Sequence, residues 1–191
     1  AVVVNLDFQG AGGVTADGGT SAVLPSLGGY WNVQGGSGET GLLTVGGGAT
    51  AARVWTSGLT GLRELGDAMY RDYLVGSVEL RGLDSGASYE IVLYGAANLQ
   101  TRFEVAGSWV MTPESAAHAD DCQYGDTALP GVEGCDYVRG LASADASGVI
   151  AIQVGRGAIA GLQIDLAHNP EPGVLMMQAL AFGLLAGRRR R

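Results

Sequence analysis

Lysine is absent from the 191 residues, and 11 arginines stand against 19 acidic side chains, a formal net charge of −8. A chain this poor in cations cannot lay down the basic footprint that neutralises phosphates, which excludes nucleic acid as a partner. Histidine occurs only as His118 and His168, and there is no G-x-S-x-G elbow. A Ser-His-acid hydrolase would therefore rest on His118 with a neighbour such as Ser115, against the plainer reading of an exposed loop histidine. Cysteine occurs twice, and Cys122, Cys135 and His118 do not have zinc-ligand spacing. Gly10-Ala11-Gly12-Gly13 follows an apolar run, but no helix pattern comes after it, so it is not a phosphate loop. Aromatic residues are 7% of the chain, and uncharged apolar runs of membrane length are missing from its body.

Glycine, by contrast, is abundant: 33 residues, 14 of them among the first 50. That density opposes helices and suits short strands joined by turns. Apolar and polar residues alternate in several places. Val78 and Leu80 alternate with Glu79 and Arg81, Phe103 and Val105 with Arg102 and Glu104, and Leu162, Ile164 and Leu166 with Gln163 and Asp165. Period two with one wet face predicts antiparallel sheets packed face to face. The expected strands are Val2–Phe8, Gly41–Val45, Ala51–Thr56, Val75–Leu80, Tyr89–Tyr94, Arg102–Val105, Ser108–Met111, Asp136–Leu141, Val149–Val154 and Gly161–Leu166. Leu62, Leu65, Met69 and Tyr73 recur at three- and four-residue steps, which predicts one short helix over Leu62–Tyr73.

Residues 1–167 hold 7 arginines and 18 acidic residues, a net of −11, whereas residues 168–191 have a net of +3. The cationic end has three parts in order: Pro170-Glu171-Pro172, an uncharged run from Gly173 to Gly187, and Arg188-Arg189-Arg190-Arg191. As a helix the run spans roughly 22 Å at about 1.5 Å per residue, short of a hydrocarbon core of about 30 Å. It would be a marginal anchor, with the arginines cytoplasmic and the body facing outward. The two prolines favour an extended, accessible stretch ahead of it.

This order resembles the PEP-CTERM sorting signal of Gram-negative bacteria that make extracellular polysaccharide. The resemblance implies transient anchoring in the inner membrane, processing by an exosortase-like membrane protease, and a body left at the cell surface or outside the cell. The chain opens at Ala1, which fits a removed secretory signal peptide or a trimmed sequence. In an exported chain an even cysteine count reads as a disulfide, Cys122 to Cys135, closing a loop of about 14 residues and worth roughly 3 kcal/mol.

Within the body, Gly82-Leu83-Asp84-Ser85-Gly86-Ala87-Ser88-Tyr89 continues into Glu90-Ile91-Val92-Leu93-Tyr94. With Cys135-Asp136-Tyr137-Val138 and the closing Ala158-Ile159-Ala160-Gly161-Leu162-Gln163-Ile164, this resembles galactose-binding-like jelly-roll domains. The resemblance implies an all-β, antiparallel jelly-roll sandwich over residues 1–167, with the sorting signal and its C-terminal apolar helix over 168–191. Such domains bind carbohydrate and often hold a structural calcium. Asp120, Asp121, Asp126, Glu133 and Asp136 concentrate oxygen ligands of the kind calcium takes, although a solvated acidic loop has the same composition. Exposed aromatics can stack on sugar rings. Tyr30, Trp31 and Asn32, in a glycine-rich loop, and Tyr124 are the candidates, with Trp55 and Trp109 assigned to the core.

The expectation is an exported, non-catalytic matrix or surface protein associated with extracellular polysaccharide. A self-assembling subunit of a sheath, filament or matrix, forming a homo-oligomer, is the first alternative. A polysaccharide hydrolase using two of the many carboxylates is the second.

Overall fold

In the computed structural model, residues 2–9, 24, 30–35, 37–63, 72–95, 101–111 and 137–169 are described. Among them the chain forms eleven strands and no helix. These are β1 (Val3–Gln9), β2 (Trp31–Gly35), β3 (Gly38–Leu43), β4 (Ala49–Arg63), β5 (Asp72–Arg81), β6 (Ser88–Gly95), β7 (Arg102–Val105), β8 (Ser108–Met111), β9 (Tyr137–Ser143), β10 (Ile150–Arg156) and β11 (Ile159–Asn169).

The strands form the β-sandwich that the alternation predicts. One sheet runs β2-β1-β11-β6-β9, antiparallel except for the parallel β1–β2 pair. The other runs β3-β4-β5-β10-β7-β8, antiparallel throughout. A single bridge, Ile159 to Leu74, links the two. Their inner faces meet through Leu6, Phe8, Leu80, Leu93, Phe103, Ile150, Ile152 and Leu162. Each such side chain contributes roughly 1.5–3 kcal/mol on leaving water.

Two expectations are corrected. The helix over Leu62–Tyr73 is not formed at either end. Arg63 pairs with Asp72 and Leu62 with Tyr73, so both ends belong to the β4–β5 hairpin. Trp55 lies on a strand as expected but faces outward. It is opposite Glu79 in register, with the Arg81 guanidinium 4.6 Å from its ring centroid. Val54, the residue before it on β4, is inside, and period two sends Trp55 out.

The turn at Gly82–Ser88 docks on the turn between β9 and β10. The Leu83 amide donates to the Gly148 carbonyl at 3.1 Å, and the Ala144 amide to that of Ala87 at 2.9 Å. Gly148 has φ +73°, and a Cβ placed on it would sit 2.2 Å from the Leu83 carbonyl oxygen. Only glycine allows this approach. The Asp84 amide donates to the Tyr89 hydroxyl at 2.8 Å. Burial raises the Tyr89 pKa, the Asp84 hydrogen bond opposes that shift, and the Asp84 charge adds to it.

Candidate functional site

Three features of the sandwich bear on function: a buried polar face, a polar seam, and an open cleft. On β1, Asn5 and Asp7 point away from the core that takes Val4, Leu6 and Phe8, yet both are fully buried. Gln163 on β11 is opposite Asn5 in register and is buried as well. The Gln163 amide donates to Asn5 Oδ1 at 2.8 Å, and its Oε1 accepts from the Tyr94 hydroxyl at 2.6 Å and from the Leu24 amide at 3.0 Å. The face that alternation marks as wet is therefore covered along β1, β11 and β6. Leu24, 139 residues before Gln163 in the chain, is part of the cover. A buried polar row of this kind is stable only when its hydrogen bonds are satisfied.

Trp31 opens β2 opposite Asn5 and shares that covered face. It is 4% exposed, and its indole N–H has no acceptor among the described residues. The expected stacking platform at Trp31 is thus corrected: a buried ring presents no open face to a sugar. Asn32 is also buried, and its role is structural. It donates to the Asn5 and Leu43 carbonyls and accepts from the Leu43 amide, each at 2.8 Å. It ties β1 and β2 to β3 of the opposite sheet. Gln34 extends this seam, donating to Thr56 Oγ1 at 2.9 Å and accepting from Thr40. Of the aromatic candidates among the described residues, only Tyr30, 49% exposed, offers its ring to solvent.

Among the described residues the opposite side of the sandwich has no such polar seam. A cleft of about 300 Å³ opens between the sheets beside β9, lined by Ile91, Leu93, Val105, Val138, Leu141 and Ala142 among others. Leu141 is 66% exposed, the largest exposure among the described large apolar residues. Arg139 and Ser143 also line the opening, and Arg139 pairs with Glu90 at 2.6 Å. Among the described residues β9 pairs with β6 alone, and that edge position is not visible in the sequence.

Tyr124, the carboxylates Asp120, Asp121, Asp126, Glu133 and Asp136, and the pair Cys122 and Cys135 lie outside the described residues, as does the tail from Pro170 to Arg191. Among the described residues no group of three or more His, Cys, Asp or Glu side chains is placed to hold a metal. The strand β11 runs to Asn169, two residues past the expected body boundary, and Asn169 pairs with Ser88.

No family model and no curated protein matches the chain. Among solved structures it is similar to protein YXIM of Bacillus subtilis, at 10% identity and a TM-score of 0.47, over 85% of this chain and 39% of that one. It is also similar to an exo-β-1,3-galactanase of Phanerochaete chrysosporium solved with galactose, at 13% identity and a TM-score of 0.31, over 65% of this chain and 33% of that one. The chain therefore spans well under half the length of either structure.

Proposed function

We propose that this chain is an exported, non-catalytic β-sandwich, held for a time at the inner membrane by its tail. An exosortase-like membrane protease processes it, and it stays at the cell surface or in the matrix with extracellular polysaccharide. The observation that supports this reading is the junction at Asn169. The last strand keeps its ladder to that residue, and the Pro-Glu-Pro triplet begins at the next. Proline has no N–H to extend the pairing, so the folded unit and the address meet without sharing a strand. The address then stays accessible to a protease while the sandwich remains intact.

Glycan contact, in this reading, falls to Tyr30 rather than Trp31. An exposed phenol ring at a strand end can stack on a sugar. The acidic body keeps the protein soluble and favours a neutral polymer over an anionic one.

The test has two arms. Replacing Pro170, Glu171 and Pro172 by alanine should hold the protein in the inner-membrane fraction, while the unaltered chain is recovered outside. Equal release of both would end the sorting reading. In co-sedimentation of the full chain with neutral extracellular polysaccharide, Tyr30→Ala should lower the bound fraction at least fivefold. Binding unchanged by Tyr30→Ala would remove Tyr30 from the account and leave the export route standing.

A further inference from the structure

We propose that the cleft beside β9 is the docking site of the chain's own apolar tail, so that the tail shields the cleft, and is itself shielded, before it enters the membrane. Three observations select this occupant.

The first is position. Asn169 pairs with Ser88 on β6, and Ser88 pairs with Ser143 on β9, which lines the cleft. Two strand spacings of about 4.8 Å put the start of the tail roughly 10 Å from the opening.

The second is reach. Pro170 to Gly173 is four residues, and an extended proline-rich stretch advances about 3.1 Å per residue, roughly 12 Å in all. The triplet with its glycine therefore delivers Val174, the first apolar residue of the run, to the mouth of the cleft. Val174, Leu175, Met176 and Met177 follow without a break. Methionine's unbranched side chain suits an irregular, reversible fit.

The third is complementarity. The lining is apolar at Ile91, Leu93, Val105, Val138 and Ala142. A cavity of about 300 Å³ has the size of a small binding pocket. The body carries a net −11 and the tail +3, so the long-range field draws the terminal arginines toward the sandwich. A short tether adds an effective concentration on the order of millimolar, which makes a weak apolar contact sufficient. The same weakness lets a bilayer compete for the run, so docking and membrane insertion alternate rather than conflict.

The experiment uses the full chain in detergent-free buffer, with a benzophenone amino acid in place of Ser108, which lines the cleft and is opposite the inward-facing Val105. Illumination should crosslink it to a peptide within residues 174–185, and the product should have the mass of a single chain. A product with the mass of two chains would assign the cleft to a second copy and overturn the proposal, as would no crosslink to the tail. Gly140→Trp supplies the second arm. Gly140 lines the cleft, and a Cβ there meets nothing within 4 Å, so an indole fills the space without displacing the backbone. It should cut the tail crosslink at least tenfold and speed amide exchange over 174–185 at least tenfold, with the β circular dichroism unchanged. Crosslinking and exchange unmoved by Gly140→Trp would overturn the proposal. Deleting Glu171 and Pro172 halves the reach and should act like Gly140→Trp. A tail that never docks but is still removed on export would defeat this inference alone and leave the sorting reading intact.

Discussion

Replacing Asn32 by alanine separates a structural amide from a ligand contact. The side chain makes three hydrogen bonds of 2.8 Å, two donated to the Asn5 and Leu43 carbonyls and one accepted from the Leu43 amide. Each is worth about 1 kcal/mol net, and a buried group left without a partner costs about 1–3 kcal/mol. Water can reach the part-buried Leu43 groups and recover some of this, so the loss should be about 3 kcal/mol. Against a total stability of about 5–15 kcal/mol that is a large fraction. In urea, with a slope of about 1–3 kcal/mol per molar, the midpoint should fall by roughly 1–3 M at unchanged slope. Asn32→Asp should be about as damaging, because it keeps an acceptor for the Leu43 amide but turns an oxygen toward two carbonyls. A loss under about 1 kcal/mol, accompanied by lost polysaccharide binding, would refute the reasoning and return Asn32 to the ligand site.

Gly148→Ala should cost well over 3 kcal/mol, because it adds a 2.2 Å clash with the Leu83 carbonyl to the roughly 1–2 kcal/mol penalty of a left-handed backbone. Gly47→Ala, at φ +78° with open space around it, should cost only that backbone penalty, and thermal unfolding of the pair isolates the clash. Tyr89 has its pKa raised by burial, so the fold favours the neutral phenol. Its contribution is therefore intact below about pH 10 and is lost as pH climbs from there through the raised value. Tyr89→Phe should flatten that part of the alkaline limb in a stability–pH profile, at a cost of about 1 kcal/mol at neutral pH for the Asp84 amide it leaves behind. An identical alkaline limb in both proteins would show that Tyr89 does not carry it.

What could be read in advance followed from how local the cause was. Arg102–Val105 and Ser108–Met111 were legible to the residue, since a β-hairpin of alternating side chains writes its own pattern. The β4–β5 hairpin was hidden because Leu62, Leu65, Met69 and Tyr73 mimic a helical period, while the pairing of Leu62 with Tyr73 is a fact of the ladder. The sequence of β2 looks like loop because glycine pairs flank it and its partner, β1, lies more than twenty residues away and runs parallel. The buried polar face was out of reach for the same reason. Gln163 looks like the wet side of a strand, and only its contact with Asn5, 158 residues away, makes it interior. The glycine-rich neighbours of Trp31 suggest an exposed loop, whereas pairing with β1 sets it on the covered face.

Whether the segment after Asn169 is a removable address can be read from the intact mass of the protein recovered from outside the cell. A chain that ends near Pro172 is expected. A secreted species that keeps Arg188 to Arg191 would contradict it.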